Sequence, residues 1–277
     1  MSRKTTMLSC VTGFALTIVF AVFIVTDPIV SAQPDDDGLA PFLGTWSGIF
    51  TTQDNEFWGV EDMVCFAGCS PEAHSHMRSL LDDPANDDRP VNALLGESWG
   101  FEAEHIVPIL TGEGRLIQQE NGPDNDPKLH CQPYGYVREV TNPLPINIRR
   151  DGMHLIFEYE EWSLLRTVYM DGRAHPQHQT PSLLGHSVGR IEDGTLIIET
   201  ARVTPDRYSD FTEGGHSDEL TGIERYTVLD NPRRLELKLT LTDPVTLTRP
   251  YTLEKVWLAT PEVKLVKDRC GAIPGKF

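Results

Sequence analysis

Positive charge is scarce in this chain. Lys and Arg number 24 against 41 Asp and Glu, for a formal charge of −17. So acidic a surface repels phosphate backbones and anionic lipid headgroups, which argues against nucleic acid as a partner. Cysteine is also sparse, at five. Cys10 has no lipobox before it, which argues against a lipoprotein. The acidic run Asp82 to Pro90 lacks the glycine and terminal glutamate of an EF-hand loop, so it reads as a solvated turn. No two of the histidines at 175, 178, 186 and 216 have the i, i+4 spacing of a helical zinc pair.

What is present begins with an export signal. Arg3 and Lys4 precede an apolar run from Leu8 to Val25, and Val30-Ser31-Ala32 supplies small residues at a cleavage point. This predicts a signal peptide over residues 1–32 and a periplasmic or secreted protein. The alternative is an uncleaved single-span anchor. Without residues 1–32, which carry Arg3 and Lys4 against Asp27, the net charge is −18. Four cysteines remain, and an even count in an oxidising compartment predicts disulfides: Cys65 with Cys69, and Cys131 with Cys270. A zinc site built from Cys65, Cys69, His74 and His76 is the alternative.

Residues 33–40 read as a linker, 41–270 as one domain and 271–277 as a tail. Ser70-Pro71-Glu72 has the chemistry of a helix start, with Ala73, Met77, Leu80 and Leu81 on one face. A weaker helix is expected at 113–120, and His105 reads as a core histidine. From Leu144 onward the chain has the texture of strands and tight turns. Strands are expected at 146–148, 153–162, 164–170, 188–192, 195–203, 220–229, 235–242, 251–258 and 263–266. Leu235, Leu237, Leu239 and Leu241 alternate with polar residues in a clear period of two. The fold class is therefore mainly β: a single antiparallel barrel with a helical insertion at about 65–121.

Gly44-Thr45-Trp46, at the start of the first strand, resembles the opening of lipocalin-like barrels. The segments Asp171-Gly172-Arg173-x-His175-Pro176, Gly185-His186-Ser187-x-Gly189-Arg190, Asp193-Gly194-Thr195-Leu196, His216-Ser217-Asp218-x-Leu220, Glu224-Arg225-Tyr226 and Asp243-Pro244-x-Thr246-x-Thr248-x-Pro250 resemble the signatures of a family of exported bacterial proteins. That likeness covers roughly Leu129 to Cys270 and implies no particular activity.

Three chemistries are compatible with the histidine-rich stretch from His175 to Arg225. Gly185-His186-Ser187-Val188-Gly189 matches the nucleophile-elbow pattern, but β-rich sequence rather than a helix follows it, which demotes Ser187. His175, His178, His186 and His216 could hold zinc or copper, as in a metal-dependent hydrolase. The leading reading is acid–base chemistry without a cofactor in a barrel pocket. His186, His216 and Glu224 would share proton transfer, while Arg190 or Arg225 steadies negative charge. His175, Asp218, Glu160 and Arg166 would line the ligand site. Within 220–229 either Glu224 or Arg225 must face inward, because neighbours alternate across a strand. The expected partner is a small hydrophobic molecule, acted on by an isomerase, lyase or hydratase, or merely held by a non-catalytic carrier.

Overall fold

A computed structural model describes residues 37–48, 68–210, 214–231, 233–267 and 270. Nine strands close into a barrel. In chain order they are β1 (Gly44–Ser47), β2 (Ile146–Asp151), β3 (His154–Tyr159), β4 (Leu165–Tyr169), β5 (His186–Glu192), β6 (Thr195–Ala201), then β9 (Thr221–Leu229), β10 (Arg234–Thr242) and β11 (Tyr251–Ala259). A separate hairpin, β7 (Asp206–Asp210) and β8 (Gly214–His216), stands between β6 and β9. The barrel closes where β1 pairs with both β2 and β11. Among the described residues four α-helices accompany it: α1 (Pro71–Leu81), α2 (Val91–Ile106), α3 (Gly112–Glu120) and α4 (Tyr136–Thr141). Among the described residues, no helix is long and apolar enough to cross a membrane; the run from Leu8 to Val25 lies outside them.

Period-two alternation builds the wall. Along β10, Leu235, Leu237, Leu239 and Leu241 point inward, and on β11 Tyr251, Leu253, Lys255 and Trp257 do the same. The turn at Asp193-Gly194 has positive φ at both residues, the geometry that matches the twist of two paired strands. Strand directions place the turns 151–154, 192–195 and 229–234 at one end. The long connections that carry the helices, the β7–β8 hairpin and residues 243–250 gather at the other.

Eight of the nine seams are antiparallel, but β4 and β5 run parallel, with Val168 opposite Ser187 and Tyr169 opposite Val188. An odd number of strands cannot alternate direction all the way round, so one parallel seam is required. The chain must then return along the barrel between β4 and β5, and residues 170–185 make that return.

Several details depart from the sequence expectation. Residues 263–267 form no strand. α2 is a full helix, although Gly96 and Gly100 weaken its local preference. His105 is exposed and stacks on Phe101 at 3.9 Å rather than entering the core. Ser70 caps α1 as expected, its Oγ accepting from the Ala73 amide at 3.1 Å.

Cys131 and Cys270 form a disulfide across 139 residues of sequence. Cys69 is also disulfide-bonded, which removes it as a zinc ligand, and Cys65 lies outside the described residues. Closing so long a loop restricts the unfolded chain, so Cys131→Ser is expected to lower stability by about 2–5 kcal/mol. Urea denaturation of oxidised wild type and variant measures this directly.

Candidate functional site

The barrel interior is filled rather than hollow. Trp46, Phe157, Leu196, Tyr226, Leu239 and Trp257 occupy it with almost no exposure. Among these apolar groups lies one ion pair. Gly222, Glu224 and Tyr226 alternate onto the inner face of β9, and Arg166 enters from β4. Arg166 grips Glu224 through two bonds, Nη1 to Oε2 at 2.9 Å and Nη2 to Oε1 at 2.5 Å. The Tyr136 hydroxyl donates to Oε1 at 2.6 Å and that of Tyr226 to Oε2 at 2.8 Å. Arg166 Nε donates to Ser187 Oγ at 2.9 Å and Nη2 to Thr200 Oγ1 at 2.6 Å.

The network is electrostatically closed. Burial alone would lower the pKa of Arg166, but Glu224 and the surrounding tyrosines raise it above its ordinary value. Burial, followed by the charge of Glu224, pushes the Tyr136 and Tyr226 phenols well above theirs, so both stay neutral donors. With Glu224 fully enclosed and both of its oxygens engaged, it is a brace joining β4, β5, β6, β9 and α4, not a base that meets solvent. Ser187 points into the same network, which agrees with its demotion as a nucleophile.

An open site lies on the outside, at the parallel seam. A cleft of about 350 Å3 runs between β4 and the end of the return loop, lined by Leu164, Leu165, Thr167, Tyr169, Leu183 and His186, with Arg166, expected at the ligand site, also on its wall. That volume is in the range of small-molecule sites. His186 begins β5 and faces outward because its neighbour Ser187 faces in. Its ring stacks on Tyr169, centroid to centroid 5.0 Å, and Tyr169 in turn meets His154 edge-on at 4.9 Å. Behind it stands His175, with the two Nδ1 atoms 2.8 Å apart, so one ring donates and the other accepts. This leaves Nε2 of His186 without a protein partner among the described residues.

The surroundings keep this pair neutral. Burial lowers the pKa of both imidazoles, and for His186 the neighbouring His175 and Arg173 lower it further. Arg173 lies 4.0 Å from the Tyr169 ring centre, and its hydrogen bonds hold the Asp171 carboxyl down at about 2. A neutral imidazole held through one nitrogen with the other left free is the arrangement of an oriented general base.

The remaining candidate residues do not join this cleft. Arg190 is exposed and paired with Glu192 and Glu199, each at 2.5 Å. Arg225 sits on the outer face of β9, since alternation gives the inner face to Glu224. Glu160 follows the end of β3 and accepts from the Val266 amide at 2.9 Å. Asp218 is exposed in a turn, and His178 is exposed on the return loop. Among the described residues no group of three or more His, Cys, Asp or Glu is assembled to hold a metal ion, and of the four histidines considered for one only His175 and His186 are in contact.

His216 belongs to a different part of the fold. It is buried on β8 beside a cavity of about 20 Å3, the size of a single water molecule, which Tyr251 also lines. Next to it Asp243 collects five bonds, from the amides of Ser217, Val245 and Thr246 and the hydroxyls of Ser217 and Thr246. Burial raises the Asp243 pKa, but these donors outweigh it and leave the group below its ordinary 3.8. A carboxyl with a depressed folded pKa stabilises the fold above its unfolded pKa and loses that contribution as pH falls through the folded one. Asp243→Ala is therefore expected to lower stability by about 2–4 kcal/mol at neutral pH, and the gap should narrow below pH 3.8. Thermal melts across that range give the comparison.

Tyr169 at the cleft, and Tyr136 and Thr200 in the buried network, are residues that sequence reasoning did not single out. Tyr169 closes β4 just before Asp171-Gly172-Arg173, and its position at the mouth of that turn is the one local signal for it. Comparison of the chain with protein-family models, with curated proteins and with solved structures finds no match.

Proposed function

We propose that the protein is an acid–base enzyme, of isomerase, lyase or hydratase type, whose site is the outer cleft at the β4–β5 seam. One observation carries this reading: His186 lines a cleft of mixed polar and apolar character while its Nδ1 is tied to His175 at 2.8 Å. In that role Nε2 of His186 takes a proton from a bound small molecule, and His175 fixes the tautomer and shares the charge that forms. Leu164, Leu165, Leu183 and Leu184 supply the apolar wall for a largely hydrophobic substrate. His216, Glu224, Arg190 and Arg225 have no part in the step. The same reading keeps the chain as an exported protein with a signal peptide over residues 1–32, active in the periplasm or outside the cell, on a barrel of lipocalin-like kind.

A carrier that holds its ligand inside the barrel is less well supported, because core side chains fill that volume. Proton exchange tests the enzymatic reading without knowledge of the product. The protein is incubated in D2O with a panel of small apolar carbonyl compounds, and deuterium uptake at the carbon next to the carbonyl is followed by mass spectrometry. Uptake that disappears in His186→Ala is the expected result. Equal uptake by wild type and variant, or none by wild type across the panel, would overturn the reading.

A further inference from the structure

Strand β5 begins too late to complete the ladder along β4. In the β3–β4 hairpin, the Tyr159 amide donates to the Leu164 carbonyl and the Met170 amide to the Met153 carbonyl. With the register between them, this assigns the main-chain groups of Arg166 and Val168 to β3 and turns those of Leu165, Thr167 and Tyr169 toward β5. The parallel register sets Val168 opposite Ser187, so the ladder uses the Thr167 carbonyl and the Tyr169 amide. The next position back along β5 belongs to Gly185, which would pair with the Leu165 carbonyl and the Thr167 amide.

Gly185 does not take that place. Its φ of +69 diverts the chain, its amide donates to the Ser182 carbonyl at 3.1 Å, and its own carbonyl accepts from Ser182 Oγ at 3.1 Å. A Cβ at this position would lie 2.7 Å from the Ala201 carbonyl oxygen, so the backbone is pressed toward β6, away from β4. The Leu165 carbonyl and the Thr167 amide therefore face the cleft: pairing with β5 begins only at Val168, and among the described residues neither group bonds to Gly185 or to another residue outside the strands. An acceptor and a donor lie side by side at strand spacing beneath an apolar wall.

We infer that the ligand of this cleft is a short extended peptide, one residue of which, flanked by two amides, pairs with the interrupted ladder of β4. That residue's own N–H donates to the Leu165 carbonyl and its own carbonyl, part of the next amide, accepts from the Thr167 amide, the same main-chain pairing by which extended peptides join sheet edges. The peptide then lies in the cleft that His186 also lines. Leu164 and Leu183 meet its apolar side chain. This names a substrate class for the proposed acid–base site and rests on that reading for the role of His186, but the docking itself rests only on β4.

The probes are the N-methylamides of N-acetyl-leucine, N-acetyl-phenylalanine and N-acetyl-alanine, with the corresponding esters (the 2-acetoxy acid N-methylamides), in which an oxygen replaces the donating residue N–H. They are titrated into isotope-labelled full-length protein, wild type and His186→Ala, while the Thr167 amide resonance is followed. The N-methylamides are expected to move that resonance downfield, saturably and in both proteins, and to bind at least tenfold more tightly than the esters. Equal affinity of amide and ester, or no movement of the Thr167 resonance with any of the three amides, would overturn the inference. The two readings fail separately. Amide docking at Thr167 without proton exchange removes the enzyme and keeps the amide site. Exchange that depends on His186 but is as fast on compounds lacking an amide removes the amide site and keeps the enzyme.

Discussion

Arg166→Met is expected to destabilise the protein by about 3–5 kcal/mol, lowering Tm on the order of 10 °C. The substitution leaves Glu224 enclosed, with only the Tyr136 and Tyr226 hydroxyls and a long 3.4 Å contact from Thr200 to satisfy a full charge. An uncompensated buried carboxylate is far more costly than the pair it came from, because the desolvation of the charge is no longer offset. Replacing both partners, in Arg166→Met with Glu224→Leu, should recover much of the loss. The double substitution also leaves the three hydroxyls of Tyr136, Thr200 and Tyr226 fewer partners, so recovery is expected to be partial. Differential scanning calorimetry of the four proteins completes the cycle. A double variant no more stable than Arg166→Met would show that burial of the lone charge is not the source of the loss.

His186→Ala has the opposite profile. Proton exchange in the cleft should fall by about 10²–10⁴-fold, the contribution of a positioned acid–base group. Stability should fall by only about 1–2 kcal/mol, because among the described residues His186, although buried, bonds to His175 and stacks on the rim residue Tyr169. His175→Ala should produce a smaller loss of exchange, because it removes the orienting partner and leaves the base. Both imidazoles have pKa values below the ordinary 6.5. The proton-accepting form therefore predominates at neutral pH, and exchange should decline on acidification. Linkage has the same sign: a base with a depressed folded pKa stabilises the fold fully above 6.5 and progressively less below it. If the activity of wild type instead rose on acidification, the pair would be acting as a donor.

Sequence pattern made the barrel legible and left its seam hidden. The alternating leucines of β10 and the Asp193-Gly194 turn carry their structure locally, and both form as expected. α4 offers no such signal. All six of its residues are buried, so it lacks the polar face that would mark a helix period. Nothing local in residues 170–185 announces that the chain returns along the barrel, yet that return creates the parallel seam and its cleft. Alternation narrowed the choice to Glu224 or Arg225 for the inner face. The partner of Glu224 was beyond its reach, since Arg166 lies 58 residues away and is chosen by barrel closure. His175 and His186 fall within one short stretch and do meet. His216, in the same stretch, is carried off by the β7–β8 hairpin.

The state of the histidine pair is the point on which the proposed chemistry turns. Long-range 1H–15N spectra of the imidazole rings, recorded from pH 5 to 8, read tautomer and charge at each nitrogen directly. At pH 7 His175 and His186 should both be neutral, with opposite tautomers sharing one proton between their Nδ1 atoms, and they should titrate together below 6.5. An imidazolium at either ring at pH 7, or two independent titrations, would contradict a neutral proton acceptor at the cleft.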